Sequence, residues 1–221
     1  IHLEIIKKCR EEVGSDFAIS IKMNSADFQK GGFSPEDSIQ VAKLFSDSGI
    51  DNIEISGGTY EQPRLLGLDK VSINPKRSEN RKESTIAREA YFLSYAEEIA
   101  KVVNIPLMVT GGFRTKEAME AALRDGACEI VGVGRPLCAN PYAIKELLAG
   151  QIDELPKYEK TLSIGPWWLS PTSPFRLIQA INAFSAQAWF YQQIKKMGKG
   201  LMPDLTLKPW KAFREDAKAD Q

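Results

Sequence analysis

Histidine is almost absent from this sequence, which has one, His2, among 221 residues. Histidine-based metal centres and Ser–His–Asp triads need histidine at the reacting position. His2 lies on a predicted first helix, away from any strand end, so we interpret it as a solvated or packing residue. The sequence therefore predicts no metal site and assigns no catalytic residue.

Cysteine is also scarce. Cys9, Cys128 and Cys138 are odd in number and form no C-x-x-C pair. This pattern indicates reduced thiols in an intracellular protein instead of a disulfide framework or a zinc site.

Net charge and long apolar runs are missing too. Lys+Arg and Asp+Glu each number 29, so the basic excess of nucleic-acid surfaces and polybasic membrane patches is absent. No apolar run approaches the roughly 20 residues that span a bilayer, and the charged start is atypical of a signal peptide. We expect a cytoplasmic protein without nucleic-acid or membrane partners. Because the sequence starts at Ile1, inside a helical pattern and without methionine, we also expect a piece of a longer protein.

What is present is an alternation of strand and helix patterns. Ser34 as N-cap, Pro35 at N1 and Asp37 in a capping box mark the best-defined helix start. The polar tail from Lys199 onward is expected to lie on the surface or fray. Strands are predicted at 17–24, 50–58, 105–112 and 127–134, and helices at 1–14, 34–49, 85–103, 115–126, 141–150 and 174–198.

The alternation fits either a doubly wound sheet or a (β/α)8 barrel. In strand 17–24 the odd positions Phe17 to Met23 are large and apolar, while the even positions include Ser20, Lys22 and Asn24. A sheet with helices on both faces would be apolar on both. The alternation favours barrel units, although four units cannot close an eight-stranded barrel.

Two turns combine glycine and arginine at successive strand ends, GGFR at 111–114 and GVGR at 132–135. Glycine lets backbone N–H groups approach a phosphate closely, and arginine matches phosphate geometry. In barrels, phosphate sites commonly follow the last two strands. The repetition favours a phosphate site over ordinary turns with surface arginines.

Lys22 is a second candidate, on the polar face of the first strand. A half-buried lysine needs an anionic partner, which is either a ligand or Glu54 on the neighbouring strand. The polar stretch 59–84 exceeds ordinary connections and suggests a binding loop with Tyr60, or a surface insert. The aromatic residues of two segments are expected in a core or interface: Trp167, Trp168, Phe175, Trp189, Phe190 and Tyr191.

These motifs resemble one family. SIKMNSADFQKGGFSPEDSIQVAKLFSDSGIDNIEISGGTYEQP is similar to the fifth and sixth βα units of the Old Yellow Enzyme family, the FMN-dependent NADH:flavin oxidoreductases and ene-reductases. REAYF, IPLMVTGGFRTKEAMEAAL and CEIVGVGRPLCANP are similar to the seventh and eighth. The resemblance covers residues 1 to about 150, and WFYQQIKKMGKG is similar to a C-terminal segment of one branch. It implies a TIM barrel that holds FMN at the carboxyl ends of its strands.

The resemblance also implies roles for particular residues. Lys22 matches the basic residue at the flavin's pyrimidine edge, where a cation stabilises the anionic reduced ring. Gly111 and Gly112 match the strand-seven turn at the phosphate, and Gly134 and Arg135 match the strand-eight turn that holds it. Arg114 receives no role.

The resemblance leaves part of the site unaccounted for. In the family, the first four strands carry most ring contacts, the His/His or His/Asn pair that binds the substrate carbonyl and, in some members, a tyrosine proton donor. None of these matches this sequence. Residues 1–150 are expected to form the C-terminal half-barrel, strands five to eight, and residues 151–221 a loop, helix and tail that pack on it.

The implied function is an FMN-dependent oxidoreductase that takes hydride from NAD(P)H and reduces an electron-poor alkene or another small-molecule acceptor. The chain would carry the phosphate half of the site and need a missing N-terminal half or a homodimer. The alternative is a non-catalytic half-barrel that dimerises as a binding or structural protein. A sugar-phosphate isomerase is a third reading, disfavoured because few titratable groups lie at the strand ends.

Overall fold

The computed structural model describes residues 1–27, 31–56 and 92–219. The stretch 59–84 with Tyr60, and the start of the helix predicted at 85–103, lie outside them. The strands are β1 (Ser20–Asn24), β2 (Asn52–Ser56), β3 (Leu107–Thr110) and β4 (Ile130–Gly132); the helices are α1 (His2–Val13), α2 (Pro35–Ser46), α3 (Leu93–Ala100), α4 (Lys116–Arg124), α5 (Arg135–Ala139), α6 (Ala143–Leu148), α7 (Arg176–Met197) and α8 (Pro209–Ala219), with 3-10 turns at Tyr158–Lys160 and Trp167–Leu169.

The described residues divide into two compact units. The first ends at Val133 and the second begins at Gly134. The first unit contains all four strands and helices α1 to α4, while the second is helical. Each unit has its own apolar core.

The sheet of the first unit follows chain order, β1-β2-β3-β4, and every pairing is parallel. Parallel neighbours require crossover connections, and the helices α2, α3 and α4 lie in the three connections here. Within the described part of the chain, β1 and β4 each pair on one side only. The predicted α/β alternation is thus confirmed.

Side chains alternate between the two faces of the sheet, as the period of an extended strand requires. Ile53, Ile55, Leu107 and Val109 are buried in the core. Lys22 and Glu54 point to the opposite, polar face. The predicted alternation is confirmed except at its start, because β1 begins at Ser20 and Phe17 lies before it with 63% of its surface exposed.

Arg10 fastens the amino-terminal side of this unit. Its guanidinium donates to the carbonyls of Gly14, Phe17 and Gly49 and pairs with the Asp51 carboxylate. Planar guanidinium has several donors in fixed directions and suits such a cluster of acceptors. The end of α1 is thereby joined to the segments that enter β1 and β2.

The predicted start of α2 is confirmed. The Ser34 side chain accepts from the Asp37 N–H, the Asp37 carboxylate accepts from the Ser34 N–H, and Pro35 occupies the first helical position. The Ser34 backbone N–H and then its hydroxyl lower the pKa of Asp37. A negative charge in the first turn also interacts favourably with the positive end of the helix dipole.

Three buried side chains on one face of helix α7 donate hydrogen bonds to backbone carbonyls of the second unit. Asn182 donates to the Leu169 carbonyl, and the Trp189 indole donates to the Leu207 carbonyl. Gln193 donates to the Asp204 carbonyl at 3.1 Å and accepts from the Asp204 N–H at 2.7 Å. These bonds satisfy backbone groups of the segments on either side of α7.

The expectations for this region are met in part. α7 ends at Met197 with Gly198 as cap, as predicted, and Trp189 and Phe190 are core residues. Trp167, Trp168, Phe175 and Tyr191 are exposed. The tail was expected to lie on the surface or fray, but residues Pro209–Ala219 form α8, in which Ala212 is fully buried in the core.

Candidate functional site

Lys22 and Glu54 form an ion pair on the polar face of the sheet. They are partners in the β1–β2 register, and the Lys22 Nζ lies 2.7 Å from the Glu54 Oε1. The Lys22 side chain is 55% exposed and that of Glu54 only 19%. The anionic partner anticipated for Lys22 on the neighbouring strand is therefore present, and the lysine still has an open side.

Glu54 is held ionised by Lys22. Burial by itself raises the pKa of its carboxyl, but the hydrogen bond from Lys22, with the charge of Lys22, leaves the pKa below its ordinary value. The carboxylate of the second strand is thus stabilised by a side chain of the first.

Gly132 on the fourth strand leaves room for side chains of the third. Thr110 and Gly132 are partners in the β3–β4 register. A Cβ built on Gly132 would lie 1.9 Å from the Thr110 Oγ1 and 2.7 Å from the Met108 Cε. Both distances are below van der Waals contact, so the packing of β3 requires glycine here. The contact between Thr110 and Gly132 is not evident from the sequence, since the strand register is needed to bring the two residues together.

The turn after β3 has the backbone that only glycine adopts readily. Gly111 has φ 119° and Gly112 has φ 86°, both in the left-handed range. Helix α4 follows, and its N-cap Thr115 accepts from the Ala118 N–H at 3.3 Å. The turn is therefore glycine-dependent for conformational reasons.

Arg114 is not the surface residue that the simplest reading of the GGFR turn predicts. Only 6% of it is exposed, and its Nη1 donates to the Phe113 carbonyl at 2.7 Å. Phe113 is itself buried in the core of the first unit. Arg114 thus belongs to the packing of this turn.

The second Gly–Arg turn opens the second unit. Gly134 is the N-cap of the short helix α5, with φ −112° and ψ −84°. Among the described residues, no heavy atom lies within 4 Å of a Cβ built on it. Packing against the described residues therefore does not require glycine at 134.

Arg135 is the first residue of α5, and its guanidinium lies 3.9 Å from a carboxylate oxygen of Glu159. Its side chain is about one-third exposed. A long-range pair of this kind in partial solvent contributes roughly 0–1 kcal/mol. The arginine thus keeps donors available for another anion.

The predicted residues are divided between the two units. Lys22, Gly111 and Gly112 lie in the first, and Gly134 and Arg135 lie in the second. Within the first unit, the register pairs Thr110 with Gly132, so the chain leaves β3 and β4 from neighbouring positions at the carboxyl edge of the sheet.

The described ranges contain neither a metal-binding cluster nor a membrane-spanning helix. Across residues 1–27, 31–56 and 92–219, no group of three or more His, Cys, Asp or Glu side chains could hold a metal ion. No helix in that same part of the chain is long and apolar enough to cross a membrane. His2 is exposed on α1, with its ring edge-on to Phe45 at 6.4 Å.

Comparisons with known proteins extend the resemblance. The chain is 39% identical over 151 residues to the NADH-dependent flavin oxidoreductase iliE of Hypocrea jecorina (strain QM6a), covering 66% of this chain and 35% of that protein. It is 31% identical over 203 residues to the NADH-dependent flavin oxidoreductase iccE of Talaromyces variabilis, covering 90% and 46%. The chain therefore spans between about a third and a half of these curated relatives.

Solved structures agree on the fold. The structure of 2-naphthoyl-CoA reductase with 2-naphthoyl-CoA matches with a TM-score of 0.54 and 25% identity, over 70% of this chain and 22% of that one. With the four-stranded parallel sheet, this likeness confirms the predicted α/β architecture, a partial TIM-type barrel.

The model of the NADH:flavin oxidoreductase / NADH oxidase family matches residues 1–154. Its members are FMN- and NADH-dependent oxidoreductases, which confirms the enzyme class and the cofactors that the motifs imply. The chain belongs to the NADH:flavin oxidoreductase / NADH oxidase family, the Old Yellow Enzyme group that its strand-end motifs resemble.

Proposed function

We propose that the protein is part of an FMN-dependent oxidoreductase and contributes the phosphate side of the flavin site. Lys22 would face the pyrimidine edge of the ring, while Gly111, Gly112, Gly134 and Arg135 would surround the phosphate. When bound, FMN accepts hydride from NAD(P)H and delivers it to an electron-poor alkene or another small-molecule acceptor.

The observation that carries this proposal is Gly134. A Cβ at position 134 would meet no heavy atom of the described residues within 4 Å, so packing against them does not require glycine there. A ligand that approaches the backbone would require it, because a Cβ would occupy that space. Arg135, the next residue, supplies a partly exposed guanidinium suited to a phosphate.

Lys22 fits the other end of the cofactor. Its side chain is partly exposed on the polar face of the sheet, at the middle position of β1. A cation at that position stabilises negative charge on a ring without moving a proton. Lys22 would therefore influence the electronic state of the flavin, whereas the glycine turns would influence how tightly FMN binds.

The domain division is part of the proposal. Residues 1–150 would be the C-terminal half of the barrel, and residues 151–221 would pack on it. We propose that the substrate-binding half comes from polypeptide other than residues 1–221, as an N-terminal half or a second copy. The one-sided pairing of β1 and β4 among the described residues supports such a partner, because open edges invite strand addition. We place the protein in the cytoplasm.

The proposal is tested by measuring how tightly purified 1–221 binds FMN and riboflavin, with quenching of flavin fluorescence as the signal. Because the anchor is a phosphate site, FMN is expected to bind at least tenfold more tightly than riboflavin, a difference of about 1.4 kcal/mol. Arg135→Gln should remove most of that preference, and Arg176→Gln, at the start of α7, serves as the matched control. Equal affinity for the two flavins, or no binding of either, would contradict the proposal.

The alternative, a non-catalytic half-barrel that dimerises, has its own signature. It predicts a defined dimer by light scattering with neither flavin binding nor turnover. A monomer that binds FMN would exclude it.

A further inference from the structure

Glu54 is the one acidic residue of β2 and lies in the interior of the described sheet, between β1 and β3. Its carboxylate is about four-fifths buried and accepts from the Lys22 ammonium at 2.7 Å. Burying a carboxylate costs free energy unless it is paired and hydrogen-bonded. Both forms of compensation are present.

The pair joins two side chains in different surroundings, because 55% of the Lys22 side chain is exposed but only 19% of that of Glu54. The carboxylate therefore fixes the direction in which an accessible ammonium points, and it lowers the net positive charge of the polar face.

We propose that Glu54 is a positioning residue for Lys22: it fixes the lysine ammonium on the polar face of the sheet and offsets its charge. By doing so it sets the reduction potential of the flavin that Lys22 faces. This inference rests on the proposed function, in that it takes FMN as the ligand of this face.

The sign of each effect follows from electrostatics. Reduction places negative charge on the flavin, and a nearby cation favours the reduced form. Glu54→Gln removes the compensating anion, so the uncompensated Lys22 should raise the reduction potential. Lys22→Met removes the cation and should lower it. Glu54→Asp keeps the charge at a slightly shorter reach and should restore most of the native value.

The first part of the experiment uses the chain alone. The carboxyl carbon of Glu54 is followed by NMR as a function of pH. Lys22→Met should raise the midpoint of the Glu54 titration, because burial then acts with less opposition. Lys101→Met, which removes the exposed partner of Glu98, serves as the control and should leave the midpoint unchanged. An unchanged midpoint in Lys22→Met overturns the inference.

The second part uses the chain loaded with FMN. Reduction potentials are measured by dye equilibration for the wild type, Glu54→Gln, Glu54→Asp and Lys22→Met. Glu54→Gln should bind reduced FMN about tenfold more tightly relative to oxidised FMN than the wild type does. Bound FMN with an unchanged potential in Glu54→Gln overturns the inference alone. Absence of FMN binding in the wild type overturns the proposed function together with the flavin role of Glu54, while the NMR result still reports the Lys22–Glu54 coupling.

Discussion

The Thr110 hydroxyl occupies the space that a side chain at position 132 would need. The two residues are register partners in β3 and β4, and a Cβ on Gly132 would lie 1.9 Å from the Thr110 Oγ1. On the first two strands, Glu54 of β2 pairs with Lys22 of β1. The polar face is thus built from residue pairs on adjacent strands.

Gly132→Ala is therefore expected to destabilise the protein by about 1–3 kcal/mol, the usual cost of forcing extra atoms into a packed site. The free energy of unfolding from urea titration measures this. Gly134→Ala is the matched control, because no heavy atom lies within 4 Å of its added Cβ. Equal stabilities for the two variants would contradict the packing argument.

Gly134→Ala should instead weaken FMN binding. The new methyl group occupies the space through which a phosphate would reach the backbone, so affinity should fall about tenfold or more while the melting temperature stays within about one degree of the wild type. Flavin fluorescence and thermal unfolding on the same samples separate the two effects. A variant that binds FMN as tightly as the wild type would remove Gly134 from the site.

Arg10→Met should lower the free energy of unfolding by about 2 kcal/mol, because three carbonyls and the Asp51 carboxylate lose one shared donor. Lys7→Met in the same helix is the control. Its pair with Glu11, at 3.8 Å, is well exposed, so its loss should be near zero. Similar losses in both variants would show that Arg10 contributes only surface charge.

Gln193→Leu should cost about 1–3 kcal/mol, because the Asp204 N–H and carbonyl lose their partner inside the second unit. Gln192→Leu makes the same chemical change one position earlier, at a residue that is only half-buried. Urea unfolding followed by tryptophan fluorescence compares the two. No difference between them would mean that water replaces the Gln193 amide without cost.

Acid should loosen the second unit through Asp204. Hydrogen bonds from the Thr206 hydroxyl and then from Lys196 lower the pKa of its carboxyl to about 2 from an ordinary value of 3.8. A folded-state pKa below the unfolded one stabilises the fold above the unfolded value, and that stability is lost as pH falls from about 4 towards 2. Asp204→Asn should abolish this part of the pH dependence of the melting temperature. A wild-type slope retained in Asp204→Asn would assign it to other groups.

Local chemistry made several features predictable from the sequence. The capping box of Ser34 and Asp37, the end of α7 at Gly198 and the alternating faces of β2 depend on residues close together in the chain. Helix caps and strand periodicity act over a few residues, so a single sequence contains their causes. The motifs at the strand ends were also sufficient to indicate the family.

The boundaries of the strands and the helical tail were harder to predict from the sequence. Phe17 continues the apolar alternation of β1 yet lies outside the strand, because pairing with β2 begins at Ser20. The tail from Lys199 is predicted to lie on the surface or fray. It is largely exposed, but Pro209–Ala219 form helix α8 beside α7, and Lys195 pairs with Asp216 at 2.7 Å. A short amphipathic helix is marginal by itself and depends on such packing.

The sequence by itself determined which residues are candidates for the site: a lysine on the first strand and glycine and arginine after the last two. The tertiary structure decided how the neighbours of these residues act on them. Strand register, set by hydrogen bonds between residues more than twenty positions apart, placed Glu54 beside Lys22 and Gly132 beside Thr110. The folded backbone also distinguishes the glycines. Gly111 and Gly112 have positive φ angles, which favour glycine, whereas the φ of Gly134 is negative. Packing and electrostatics act through space, so only the folded chain contains these relationships.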